Sequence, residues 1–227
     1  MSAFRYLSLI VAAASCLAAP NENGFTPLFD GRTLAGWEAH EGFSAARKES
    51  PGSKWRVEDG CLVGAPDAAG RGGFLWVNRA FRDFVFRTEV KLDYPIDSGV
   101  FLRCGPTGRS HQVMLDYLPT TYIGAIYVPF QGMVDRCPEG VRSWRANEWN
   151  ELEIRIEGEP ARIRVWLNGK LITDFQHTAE SARGASARGG IALQVHPYTG
   201  TDIPNSARNT VRYRNIRIKE LNSPTGT

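Results

Sequence analysis

The chain has 227 residues, 42% of them hydrophobic and 11% aromatic, with 23 glycines. That suits one globular domain of about 200 residues with a sizeable core. The 27 basic and 24 acidic side chains leave a net charge of +3, a surplus too small and too evenly spread to mark a nucleic-acid surface.

Residues 1–19 have the layout of an export signal, with Arg5 as the positive segment, Leu7 to Ala14 as the apolar run, and Ala18 and Ala19 near a cleavage point. The apolar run is too short to span a bilayer. Cys16, after Ala13-Ala14-Ser15, gives an alternative: a bacterial lipidation site and so a lipid anchor. Both readings place the mature protein outside the cytoplasm, periplasmic or secreted. Cleavage leaves Cys61, Cys104 and Cys137. Export permits one disulfide, but core filling is the expectation for Cys61 and Cys104. No CxxC and no Cys/His ligand spacing occurs, so neither a metal nor a cofactor is assigned.

From residue 20 the chain reads as a single β-domain with its core in about 25–221. Phe25 to Gly31 is a short edge strand and turn, since Pro27 is tolerated at an edge. Leu34 to Trp37 follows, then an aperiodic loop over 40–54. Trp55 to Val63 is a hairpin around Asp59-Gly60. Asp67 to Gly73 is a loop with three glycines; the strand-like Phe74 to Val77 after it argues against a phosphate cradle, which needs a helix there. Phe84 to Leu92 alternates, with Phe84, Phe86, Thr88, Val90 and Leu92 on one face and Arg87, Glu89 and Lys91 on the other. Two apolar-rich runs, Asp97 to Cys104 and Ser110 to Tyr117, flank a Gly105-Pro106-Thr107-Gly108 turn. On the first run Val100, Leu102 and Cys104 are expected to share one face, and Phe101 and Arg103 the other.

Ile123 to Val128 is the next strand. Residues 129–147 read as one long irregular loop, a feature usually functional or mobile. Asn150 to Glu157 and Arg162 to Leu167 alternate apolar and charged positions, the second run ending in the Asn168-Gly169 hairpin signal; the charges are expected on a solvated outer face. Thr178 to Arg183 is one helical turn. Gly190 to His196 is a strand, 197–209 a polar loop, and Val211 to Leu221 the last strand. There Val211 and Tyr213 are in one phase and Ile216 and Ile218 in the other, which predicts a bulge near Arg214-Asn215. Many short strands, no long helix and no repeat give an all-β sandwich of two antiparallel sheets.

The candidate site begins with Arg103 and Asp116, charges within β-rich apolar runs that must be paired or face a wet hollow. Glu89 is the candidate partner of Arg103 and a candidate substrate contact. Gln194 and His196 point to one face, opposite Leu193 and Val195, which suggests a polar concavity. Arg103, Asp116 and Gln194 are expected to converge in one hollow.

The landmarks Leu28-Phe29-Asp30-Gly31-Arg32-Thr33-Leu34-Ala35-Gly36-Trp37, Trp55-Arg56-Val57-Glu58-Asp59-Gly60, Ser98-Gly99-Val100-Phe101-Leu102-Arg103, Gly124-Ala125-Ile126-Tyr127, Glu148-Trp149-Asn150, Leu167-Asn168-Gly169, Gly190 to His196 and Arg214-Asn215-Ile216 come in an order that resembles the 3-keto-disaccharide hydrolase domain family. The resemblance covers about residues 25–221. It implies a concanavalin A-like jelly roll whose concave sheet holds sugar, and action on glycosides whose C3 hydroxyl a partner oxidoreductase has oxidised. Where family members often carry Glu-x-Gln before Leu-Asp, this chain has His111 and Val113, with Gln112 between them.

The implied chemistry is elimination: a base removes the C2 proton, the C1 substituent leaves, and water adds back. It differs from hydrolysis by a spaced carboxylate pair. It needs a base, a donor at the enolate oxygen and an acid for the leaving group. On this reading Arg103 holds the anionic oxygen, and His196 or Asp116 is the base, with His111 a second candidate. Tyr127 donates to the leaving oxygen or stacks on the sugar. Trp144 and the 129–147 loop cover the cleft. The competing readings are a non-catalytic carbohydrate-binding sandwich and a structural or adhesion domain.

Overall fold

A computed structural model of the chain describes residues 23–40, 54–118, 122–197 and 209–221. The signal segment, Cys16 and most of the expected loops over 40–54 and 197–209 lie outside the described residues. In chain order the elements are β1 (Thr26–Pro27), β2 (Glu38–His40), β3 (Trp55–Glu58), β4 (Cys61–Gly64), β5 (Gly73–Phe81), β6 (Phe84–Leu92), β7 (Ile96–Cys104), β8 (His111–Tyr117), β9 (Tyr122–Val128), β10 (Gly132–Asp135), α1 (Pro138–Ser143), β11 (Asn150–Glu157), β12 (Arg162–Leu167), β13 (Lys170–Gln176), β14 (Gly189–Val195) and β15 (Val211–Glu220).

Among the described residues, one sheet runs β13-β12-β11-β6-β15-β4-β3 with β1 added on β15, and the other runs β10-β9-β8-β7-β14-β5-β2. Neighbouring strands are antiparallel throughout, which is the two-sheet sandwich expected from the alternation. Phe84, Phe86, Val90 and Leu92 of β6 turn inward with Ile154, Ile156, Ile163 and Val165, and meet Val100, Leu115, Ile191 and Leu193 of the other sheet in one core. Each large apolar side chain so buried contributes about 1.5–3 kcal/mol. The hairpin turns fall where Asp59-Gly60 and Asn168-Gly169 supply consecutive positive φ angles, 51° and 74°, and 52° and 79°.

The outer face of the eight-stranded sheet carries the expected charges. Arg87 pairs with Glu153 at 2.5 Å, and Arg162 with Asp174 at 2.7 Å; such exposed pairs add little stability.

Residues 129–147 are not one irregular loop. They contain β10, which extends the sheet beyond β9, and α1, which touches β9 of one sheet and β13 of the other. Gly140 is what lets α1 sit so close: a Cβ there would fall 1.7 Å from the Ile123 carbonyl oxygen. Cys61, Cys104 and Cys137 are buried free thiols.

Two bulges interrupt the alternation. On β15, Arg214 pairs with Glu89 but Arg217 with Arg87, and Asn215 takes a φ of 53°, so the extra residue lies where the apolar phase slips. On β7, Gly190 faces Cys104 but Ala192 faces Phe101, so β7 carries one residue more than β14, and Arg103 has a φ of 53°. That bulge rotates Arg103 and Cys104 out of the alternation. Cys104 joins Phe74, Trp76, Phe101 and Ala192 on the outer side of the seven-stranded sheet.

Candidate functional site

Directly opposed residues in antiparallel strands share a face. The register therefore assembles the outer face of the seven-stranded sheet row by row. Asp97 of β7 stands opposite Asp116 of β8, which stands opposite Tyr122 of β9; Phe101 stands opposite Gln112, and Gln112 opposite Tyr127. Gln194 of β14 stands opposite Phe74 of β5, which stands opposite His40 of β2; Ala192 stands opposite Trp76, and Trp76 opposite Glu38. His196 joins the first row, its backbone N–H donating to the Asp97 carbonyl. Although these positions point away from the core, Asp116 is 5% exposed and Gln194 7%. We read this screened outward face as a recess.

Burial and the neighbouring Asp116 carboxylate push the Asp97 pKa up to about 8. Burial likewise raises that of Asp116, against a pull downward from the Leu118 backbone N–H and from His196. Like charges across one strand pair resist double ionisation, so the two carboxyls share a proton at neutral pH. The His196 ring closes the group: Nε2 is 3.7 Å from Asp97 Oδ2, and Nδ1 is 2.9 Å from the Pro197 carbonyl oxygen. A carbonyl only accepts, so Nδ1 carries a hydrogen, and Nε2 is the ring atom turned toward the carboxyls.

Between the acidic and aromatic sides lies an amide bridge. Gln112 Nε2 donates to Gln194 Oε1 at 3.1 Å. It lies across Gly99, where a Cβ would come within 2.3 Å of that nitrogen. The Gln194 carboxamide nitrogen is thereby left to donate into the recess. From the core side, Ser98 Oγ donates to the Gln194 carbonyl at 2.6 Å and takes the Tyr213 hydroxyl hydrogen at 2.9 Å, so the strand bearing Gln194 is tied to the opposite sheet. Among the described residues no group of three or more His, Cys, Asp or Glu side chains could hold a metal ion.

The model of the 3-keto-alpha-glucoside-1,2-lyase-like domain matches residues 24–219. This chain belongs to that family. A curated relative, the 3-keto-disaccharide hydrolase of Bacteroides thetaiotaomicron, is 30% identical over 124 residues, a match spanning 52% of this chain and 41% of that protein. The fold is shared with a candidate glycosyl hydrolase from Parabacteroides distasonis, at 21% identity and a TM-score of 0.59 over 88% of this chain and 95% of that one. It is also shared with the carbohydrate-binding module CBM66 of Bacillus subtilis, at 12% identity and a TM-score of 0.56 over 82% and 96%.

In this lyase-like domain the recess brings together Asp116, His196, Gln194 and Tyr127 of the residues expected from sequence. It does not bring in Arg103, Glu89, His111 or Trp144. Arg103 is turned by the β7 bulge to the other side, where its guanidinium, 1% exposed, pairs with Asp83 at 2.8 Å and donates to the carbonyls of Arg82 and Gly158. Its partner is thus Asp83, not Glu89. Burial lowers its pKa to about 10 despite Asp83, so it stays charged. Glu89 lies on the far sheet, paired with Arg214 at 2.6 Å. Trp144 follows α1 and packs on Tyr117 at 5.6 Å beside the core, which leaves it on the edge closed by α1 and not over the recess.

His111 stands opposite Leu102 and so faces the core side. Its Nδ1 is 3.1 Å from His177 Nε2, and its Nε2 is 3.3 Å from the Ser186 carbonyl oxygen. Burial, His177 and Arg103 together push its pKa down to about 3, and burial depresses that of His177. Both histidines are neutral in the fold. An unfolded histidine protonates near pH 6.5, so the stability these two contribute is fully present above that pH and is lost as pH falls toward 3. The urea midpoint is expected to drop steadily below pH 6.5, and His111→Asn should flatten that slope. An unchanged slope in the variant would show that His111 is not protonated on acid unfolding.

Residues on this face that were not singled out from sequence are Asp97, Gln112, Tyr122, Trp76 and His40. Asp97 could have been found: counting back from the Gly105–Gly108 turn with Leu102 opposite His111 puts Asp97 opposite Asp116. His40 and Trp76 carry no such signal, because the pairing of β2 with β5 joins distant segments.

Proposed function

We propose that this domain cleaves 3-keto-glycosides by elimination and water addition in the Asp97–Asp116–His196 recess. The ketone at C3 acidifies the C2 hydrogen. Asp116, the ionised member of the pair, takes that proton, and the electrons shift through C2 to the C3 oxygen as an enolate. The Gln194 carboxamide donates to that oxygen. The enolate collapses, the C1–O bond breaks, and Asp97, which keeps its proton to about pH 8, gives it to the leaving oxygen. Water then adds across C1 and C2 to give the free 3-keto sugar, the carboxyls exchanging roles. Tyr127, beside Gln112, borders the sugar on the β9 side.

The observation that carries this reading is the opposed carboxyl pair with one strongly raised pKa in a recessed, sugar-compatible face. A carboxyl with a shifted pKa beside a second carboxyl on one sheet face is the arrangement that acid–base chemistry uses. The curated relative's name and the family description point to the same substrate class. The substrate requires an oxidoreductase that makes the C3 ketone, and on the export-signal reading of residues 1–19 the reaction takes place outside the cytoplasm, free or on a lipid anchor.

The test is to incubate the purified protein with a 3-keto-disaccharide and with its unoxidised parent. Release of 3-keto-glucose and the second sugar from the oxidised compound alone is the expected result. Saturable binding of the parent with release from neither would make this a carbohydrate-binding module instead.

A further inference from the structure

The corner of the recess formed by β2 and β5 lies outside the proposed chemistry, yet it is built for a ligand. His40 is 2% exposed, and neither ring nitrogen has a hydrogen-bond partner. Nε2 stands 3.5 Å from Glu38 Oε2, too long for a hydrogen bond of useful strength. The Trp76 indole N–H, beside it, is also buried with no acceptor. The His40 ring meets the Trp76 indole edge-on at 5.0 Å. The indole lies over Gly190, where a Cβ would fall 2.2 Å from Nε1, so the backbone is shaped to the ring.

Buried polar groups in native folds are nearly always satisfied, and each one left unmade is costly. Here a donor from Trp76, two ring nitrogens of His40 and the half-exposed Glu38 carboxylate converge beside an apolar floor of Phe74, Trp76 and Phe101. Aromatic faces with a few convergent polar groups are the composition of a sugar site. β5 is two strands and β2 three strands from β7, a lateral offset of about 10–15 Å from Asp97. A single ring seated on the carboxyls does not reach that corner.

We infer that Glu38, His40 and Trp76 form a second subsite, which takes a neutral, hydroxyl-bearing sugar ring joined to the one that reacts. It rests on the reading of the recess as a 3-keto-glycoside site, and adds to it the side chains that hold the second ring.

The test compares kcat/KM for a 3-keto-disaccharide with kcat/KM for methyl 3-keto-glucoside, in the wild type, Trp76→Phe and His40→Asn. Trp76→Phe keeps the stacking face and removes the N–H, and His40→Asn serves should the other variant not fold. The disaccharide-to-methyl ratio is expected to fall about tenfold, the worth of one good hydrogen bond. An unchanged ratio overturns the subsite. If the wild type turns over neither compound, the chemistry proposed for the recess fails, and the subsite is judged alone by tryptophan fluorescence during titration with the unoxidised disaccharide. A saturable change that Trp76→Phe abolishes supports it; no change in the wild type overturns it.

Discussion

Asp97→Asn and Asp116→Asn are each expected to cut turnover of a 3-keto-disaccharide by about 10²–10⁴-fold, the usual contribution of a positioned acid or base. The same substitutions should not damage the fold, and Asp97→Asn should strengthen it. In the unfolded chain an aspartate ionises near pH 3.9; in the fold Asp97 holds its proton to about pH 8. The folded state therefore binds more protons over that interval, and stability falls as pH rises from about 4 to 8. Removing the group removes that loss, so the Tm advantage of Asp97→Asn should be nil near pH 4 and largest above pH 8. Loss of activity with a gain in Tm is the signature of a strained functional carboxyl. A Tm that drops with activity would mean that Asp97 is a structural group.

Arg103→Met is expected to do the reverse. Removing one partner of a buried ion pair leaves the other uncompensated, at a cost of about 3–5 kcal/mol. Asp83 would keep the Gly158 N–H at 3.0 Å but lose the guanidinium, and the Arg82 and Gly158 carbonyls would lose their donor. For a domain of this size that is a fall in Tm of roughly 10 °C. Arg103→Lys should rescue little, because an ammonium cannot span three acceptors in one plane. The kcat per folded molecule should stay within about twofold of wild type, since Arg103 faces away from the recess. A large drop in kcat with an unchanged Tm would restore Arg103 to the chemistry.

These two predictions mark where the sequence was legible and where it was not. Alternation is a local property, so the strands of β6, β11 and β12 and the Asn168-Gly169 turn could be read directly. So could the β15 bulge, because the apolar residues on its two sides change phase at Asn215. The β7 bulge leaves no such trace. Leu102 and Cys104 are both apolar, so the run still looks regular, and Arg103 was assigned to the wrong face. Asp116, Gln194, His196 and Tyr127 do fall on one face, although β14 ends at Val195, before His196, and β9 carries an extra residue between Ile123 and Ile126. His111 was misread because a histidine among apolar residues looks the same whether it faces a site or, as here, another buried histidine 3.1 Å away. The 129–147 segment hid its helix for want of length: six residues cannot show a period.

The measurement that tests the central claim most directly is a crystal structure of Asp116→Asn soaked with a 3-keto-disaccharide. The reacting ring is expected on the outer face of the seven-stranded sheet, its C2 facing residue 116 and its glycosidic oxygen within hydrogen-bond reach of Asp97. Sugar bound instead beside Glu89 on the eight-stranded sheet, or a recess left empty at saturating ligand, would contradict the account.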